Sequence, residues 1–178
     1  MTDNADLAAL IRTIPDYPKP GILFRDVSTL LLDGPGFRAT IDRLAALVAP
    51  DTSLIAGIEA RGFVVAAGLS YALGLGKLML RKPGKLPGEK IGADYALEYG
   101  TDRIEMHVGH VQPGQKVLLV DDLIATGGTA SAGVDLIRRG GGTVEQALFI
   151  VDLPDLGGAA RLRAQGIEVK CLIDFEGD

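Results

Sequence analysis

The chain has 178 residues, 18 Lys and Arg against 23 Asp and Glu, a formal net charge of −5 and a hydrophobic share of 47% with few aromatics. That length suits one folded unit with a real core, and the acidic balance argues against a broad nucleic-acid surface, which needs many cations to neutralise phosphates. The acidic N-terminal stretch and the strand-sized apolar runs predict neither a signal peptide nor a membrane span, and hence a cytoplasmic protein, while the single Cys171, in the apolar run Val169 to Ile173, forms no internal disulfide and reads as core.

Asp3 to Ile14 carries Leu7, Leu10, Ile11 and Ile14 at helical spacing, with Asp3 or Asn4 as cap, and predicts a short amphipathic helix. Pro15, Pro18 and Pro20 stop it and impose an extended path to Gly21. Ile22 to Val27 is apolar and turns polar just after Phe24, an aromatic whose default reading is core. Gly36 to Val48 shows a helical stripe of Phe37, Ile41, Leu44, Leu47 and Val48, ended by Pro50. Leu54 to Ile58 is a short strand that runs through Glu59-Ala60-Arg61-Gly62-Phe63 into a helix from Val64 to Leu73.

Lys77 to Leu80 is the next strand, and the loop Arg81-Lys82-Pro83-Gly84-Lys85-Leu86-Pro87-Gly88 places three cations among Pro and Gly. From Lys90 to Val111 the helical pattern disappears. Ala93 to Tyr99 and Asp102 to Val108, with a turn at Gly100, predict a β-hairpin, and an excursion of this length suits a cover over a site. His107 and His110 lie there at i,i+3 spacing, a weak metal pair without supporting ligands, and no role is assigned to them. Ala130 to Arg139 is a helix stopped by three glycines, followed by a strand from Val144 to Val151, a short helix from Gly158 to Ala164 and a last strand from Val169 to Phe175. This alternation predicts an α/β fold, an open and mainly parallel twisted sheet with flanking helices, plus the hairpin flap over about 91–111 and a small N-terminal hood over about 1–35, all within one domain over 1–178.

The most informative stretch is Val117 to Ala130: an apolar run, Asp121 and Asp122, then Ala125-Thr126-Gly127-Gly128-Thr129 at a helix start. Backbone N–H groups at such a start point at an anion, the glycines let the main chain come close to it, and the threonines add hydroxyl donors. Carboxylates ahead of that cradle repel phosphate but accept hydrogen bonds from sugar hydroxyls or hold a hydrated Mg²⁺. A phosphorylated sugar satisfies both ends. In open parallel sheets ligands collect beyond the carboxyl ends of the strands, so the junction at Arg61 and the one after Asp122 are expected to share a crevice. The basic loop then reads as the side that takes pyrophosphate.

These residues resemble the 5-phosphoribosyl pyrophosphate (PRPP) signature of the type I phosphoribosyltransferases, and the loop lacks both the Walker A ending and the dinucleotide glycine spacing. Pro20 to Asp26, Glu59 to Phe63, Arg81 to Gly88, Leu97-Glu98-Tyr99-Gly100 and Val120 to Thr129 are similar, in order and spacing, to the adenine phosphoribosyltransferase branch of that family. The resemblance implies a purine-salvage transferase that moves the 5-phosphoribosyl group of PRPP to N9 of adenine, forming AMP and pyrophosphate with Mg²⁺ held mainly by substrate and water. It implies that Leu23, Phe24 and Arg25 line the adenine pocket, Asp121 and Asp122 face the ribose, and Ala125 to Thr129 wrap the 5′-phosphate. It further implies that Glu59, Ala60, Arg61, Arg81, Lys82 and Lys85 attend pyrophosphate, with Glu59-Ala60 a cis peptide, that Glu105 handles protons from the flap, and that the enzyme is a homodimer. Oxypurine-using relatives place an acid where Ala125 stands. The alternatives are a related enzyme for such a base, and a non-catalytic PRPP sensor, which needs a DNA-reading part that this acidic chain does not display.

Overall fold

The computed structural model describes residues 4–96 and 100–177. The strands that the apolar runs anticipate form one five-stranded parallel sheet: β3 (Leu54–Ile58), β4 (Gly76–Leu80), β7 (Val117–Ile124), β8 (Gln146–Asp152) and β9 (Glu168–Asp174), in the order β4-β3-β7-β8-β9. Alternation along the strands splits the core in two. Leu54, Ala56, Ile58, Leu119, Ala147 and Phe149 face one side, against α5 (Gly128–Arg139) and α6 (Gly158–Arg163). Ile55, Leu118, Val120, Leu148 and Ile150 face the other, against α1 (Ala5–Ala8), α2 (Ser28–Leu32), α3 (Gly34–Ala45) and α4 (Gly62–Leu73).

Two antiparallel pairs complete the fold. β1 (Arg12–Pro15) pairs with β2 (Leu23–Asp26), and β5 (Lys90–Ala96) pairs with β6 (Thr101–His107) as the expected hairpin. Motif residues 97–99 lie outside the described residues. An isolated bridge between Arg81 and Glu105 fastens β6 to the end of β4.

The N-terminal expectation is corrected. The helix spans four residues instead of the stretch from Asp3 to Ile14, and Ile14 lies in β1 opposite Phe24. Leu7 and Ile11 are buried as the periodicity implies. β-branched Thr13 and Ile14 favour extended backbone, and Ile14 precedes a proline, which disfavours the helical region for it. Asn4 caps nothing with its side chain: its Nδ2 donates to the Leu172 carbonyl at 2.7 Å. α2 was not anticipated. It begins where the Asp26 carboxylate accepts hydrogen bonds from the Ser28 main chain, at 3.1 Å, and from the Ser28 hydroxyl. α3 begins two residues earlier than expected, because Asp33 accepts from the Gly36 N–H at 2.7 Å, and ends at Ala45, short of Val48. Cys171 is half-buried against the core, and burial pushes its thiol well up.

Candidate functional site

The sheet reverses its winding between β3 and β7. From β3 the chain moves outward to β4, and from β7 it moves the opposite way through β8 to β9. The loops beyond β3 and β7 therefore part from each other and leave a crevice at the carboxyl edge, the usual ligand position in such sheets. Glu59, Ala60 and Arg61 leave one side of it, and Asp121 to Thr129 leave the other.

Residues 125–129 lead directly into the first turn of α5, whose N-terminal N–H groups face the crevice end. Gly127 has φ +75°, and a Cβ there would lie 2.9 Å from the Gly158 backbone. The loop is pinned by that approach, with the Gly158 N–H donating to the Ala125 carbonyl at 2.9 Å. A cavity of about 130 Å³ opens here, lined by Asp121, the loop from Ala125 to Thr129, and Phe149 beneath. A larger hollow of about 380 Å³, between β5 and α5, shares only Gly128 with it.

The two adjacent acids behave differently. Asp122 is 4% exposed and its carboxylate accepts a hydrogen bond from Arg61 Nε, so the β3 loop is tied to the β7 end. Asp121 Oδ1 accepts from the Asp122 N–H at 2.9 Å and lies against Gly62, where a Cβ would come within 2.7 Å of it. Burial, then the Asp122 charge, pushes the Asp121 carboxyl well above the ordinary range. Burial opposes the Arg61 charge, and Asp122 more than restores it.

The expected pyrophosphate residues gather beside this edge. The Glu59–Ala60 peptide is cis, as the resemblance implies. Glu59 accepts from both Arg81 Nε and Nη2 at 3.3 Å and from the Lys82 N–H at 2.7 Å, so it organises the cations instead of meeting an anion itself. Burial works against the Glu59 carboxylate, and Arg81 with the Lys82 N–H holds it below its usual value. Lys82 Nζ donates to Tyr95 Oη at 2.7 Å and to Asp102 Oδ2. Lys85 is exposed and has no ion-pair partner within 4 Å among the described residues.

Glu105, the residue expected to handle protons, packs against the basic loop. It is 7% exposed, its Oε2 accepts from the Gly84 N–H at 3.3 Å, and Arg103 Nε stands 3.7 Å from its other oxygen. It meets the basic loop. His107 does the same one step along, with Nε2 2.8 Å from the Pro87 carbonyl oxygen and its ring 4.6 Å from that of His110.

At the other end of the edge, Phe24 is half-buried and meets Tyr17 edge-to-face, with centroids 5.2 Å apart. Arg25 turns away into packing: it donates to Thr13 Oγ1 at 2.7 Å and lies 4.4 Å over the Phe175 ring. Leu23, Phe24 and Arg25 are all half-buried, and the segment pairs with β1 along one edge. Sequence reasoning missed Gly158, Tyr95 and Asp102. The first had a signal in its tandem with Gly157, the other two in their symmetry about the hairpin turn.

Residues 28–173 match the model of the phosphoribosyl transferase domain family. An adenine phosphoribosyltransferase of a Bradyrhizobium species is 55% identical, over 99% of each chain. The crystal structure of an adenine phosphoribosyltransferase from Thermoanaerobacter pseudethanolicus superposes with a TM-score of 0.90 at 45% identity, covering 96% of this chain and 99% of that one. The Saccharomyces cerevisiae adenine phosphoribosyltransferase, solved with an imino-altritol bisphosphate and adenine, gives a TM-score of 0.86 at 33% identity, covering 95% and 97%.

Proposed function

The chain belongs to the adenine phosphoribosyltransferase family of type I phosphoribosyltransferases, and from that premise we propose how its own residues carry the transfer of a 5-phosphoribosyl group from PRPP to adenine. The bond from C1′ to pyrophosphate breaks, the bond from C1′ to adenine N9 forms, and the N9 proton leaves, giving AMP and pyrophosphate. The observation that carries the reading is the meeting, at one reversal of the sheet, of an anion cradle, a carboxylate pair and a basic loop.

In this assignment the N–H groups and hydroxyls of Ala125, Thr126, Gly127, Gly128 and Thr129 hold the 5′-phosphate. Asp121 and Asp122 accept from the ribose hydroxyls. Arg61, Arg81, Lys82 and Lys85 stabilise the charge that grows on departing pyrophosphate, with Glu59 and Ala60 shaping their support. The base rests on Phe24 and is read by the main chain of Leu23 to Arg25. For Glu105 the geometry supports holding the basic loop in place more directly than proton transfer.

Mg²⁺ fits here as a guest of the substrate. The carboxylates at the end of β7 are hard oxygen donors, Asp122 is already engaged by Arg61, and no group of three or more His, Cys, Asp or Glu among the described residues forms a cage. When bound, the ion adds charge neutralisation at the leaving group. The reaction is assigned to the cytoplasm, a reading that rests on the family resemblance and on the single cysteine, which suits a reducing compartment; among the described residues no helix is long and apolar enough to cross a membrane.

A second copy of the chain is the assigned partner. α4 buries Val65, Ala66 and Leu69, yet its opposite stripe of Val64, Ala67 and Tyr71 is apolar and exposed, beside exposed Met79 on edge strand β4. A helix apolar on both faces calls for a second burial.

The test supplies adenine, hypoxanthine, guanine and xanthine in turn with PRPP and Mg²⁺. Release of AMP and pyrophosphate from adenine alone is the expected result. Preference for an oxypurine overturns the base assignment, and PRPP binding without turnover of any base turns the reading toward a sensor.

A further inference from the structure

The hairpin builds a receptor for one lysine. Tyr95 and Asp102 are cross-strand partners in β5 and β6. The Tyr95 hydroxyl donates to Asp102 Oδ2 at 2.8 Å, Lys82 Nζ donates to both, and the ammonium stands 5.4 Å from the Tyr95 ring centroid. Asp102 Oδ1 is fixed from behind by the Arg103 N–H at 2.7 Å. Two other acids face the basic loop, and each receives main chain: Glu59 takes the Lys82 N–H and Glu105 takes the Gly84 N–H. Among the described residues, Asp102 is the acid that spends its charge on a lysine head of this loop.

Resting on the pyrophosphate reading of this loop, we propose that Asp102 is a positioning residue that competes with pyrophosphate for the Lys82 ammonium. An ammonium has three donors, and two are taken. A polyanion arriving beside the pair meets the Asp102 carboxylate as well as the cation, so full engagement requires Lys82 to turn from Asp102 to the ligand. That exchange removes the ion pair between loop and hairpin and leaves the Arg81–Glu105 bridge, the Glu105–Gly84 hydrogen bond and the His107–Pro87 contact as the remaining ties. Occupancy of the pyrophosphate side thereby sets how firmly the hairpin is held. Asp102 lies low in its carboxylate range, chiefly because of Lys82, so the competition operates throughout the neutral pH range.

The experiment titrates the full chain with inorganic pyrophosphate at fixed Mg²⁺ by calorimetry. D102N keeps a carbonyl for the Arg103 N–H and removes the charge. It is expected to tighten pyrophosphate about three- to fivefold, as suits a half-exposed pair. Y95F, which deletes only the hydroxyl, shifts affinity the same way by a smaller factor, and D102E restores the wild-type value. K82A weakens binding, and D102N adds nothing in that background, because the effect passes through the lysine. Unchanged or weaker binding in D102N, with K82A impaired, overturns the competition and leaves the pyrophosphate site standing. Unchanged binding in K82A removes Lys82 from that site and overturns both.

Discussion

At Asp121, burial and the adjacent Asp122 push the carboxyl well above its ordinary range, so its charged form is carried at a cost to the fold. The raised value means that this residue's favourable contribution is complete below the unfolded carboxylate value, about 4, and is lost as pH rises through the folded value. Asp121→Asn is therefore expected to raise the melting temperature at neutral pH, by about 2–4 °C for each kcal/mol relieved in a chain of this size. The gain should fade as pH drops toward 4, while PRPP turnover falls at least about tenfold with the lost ribose acceptor. Melting curves across pH beside a turnover assay check this, and equal stabilisation at pH 4 and 7 contradicts it. The acids and the loop after them were legible because a phosphate cradle is a local device, complete within about ten residues. The packing of half-buried Asp121 against Gly62 was not, since it depends on β3 and β7 lying side by side.

Among the elements, the hairpin was foreseen from the loss of helical periodicity, and its ends shifted by a few residues only. The chemistry on it was harder to read. The resemblance implied a proton role for Glu105, and nothing local reveals that β6 bridges to Arg81 and brings that buried side chain to the Gly84 N–H. Glu105→Gln should raise KM for PRPP roughly fivefold, the equivalent of about 1 kcal/mol of lost charge-assisted hydrogen bonding, with kcat within about twofold. A collapse of kcat at unchanged KM returns Glu105 to proton transfer. If kcat instead collapses in Glu98→Gln, the other glutamate of the flap, the proton role moves there. At the N-terminus, apolar spacing named the buried residues Leu7 and Ile11 correctly and the helix at Leu7, but carried that helix too far, because Pro15 and the β1–β2 pairing settle the stretch from Arg12 as strand.

For the molecule as a whole, the mainly parallel sheet with flanking helices was visible in the alternation of apolar runs, whereas the strand order β4-β3-β7-β8-β9 and the division of the core between the two faces depend on long-range pairing and are read only from the structure. The outer stripe of α4 was also present in sequence, but an all-apolar helix reads as fully buried until the sheet shows which face has no cover. Tyr71, 93% exposed, is its most prominent member. Tyr71→Asp is expected to weaken self-association at least about tenfold, as loss of an aromatic anchor does. Sedimentation across protein concentration measures this, and an unchanged association constant removes α4 from the interface.

The pairing of Arg61 with Asp122, Arg81 with Glu59 and Lys82 with Asp102 has a kinetic side. A mouth in which three of the four cations are already paired, leaving only Lys85 without an ion-pair partner among the described residues, casts little field into solvent, and the chain around it is acidic. An anionic ligand is thus not drawn in from a distance; it arrives by ordinary diffusion against mild repulsion and gains its electrostatic reward only after contact. Added salt should leave the PRPP association rate flat or slightly faster, where a steered site slows steeply. Stopped-flow binding between 20 and 300 mM salt, about a fourfold change in screening length, distinguishes the two.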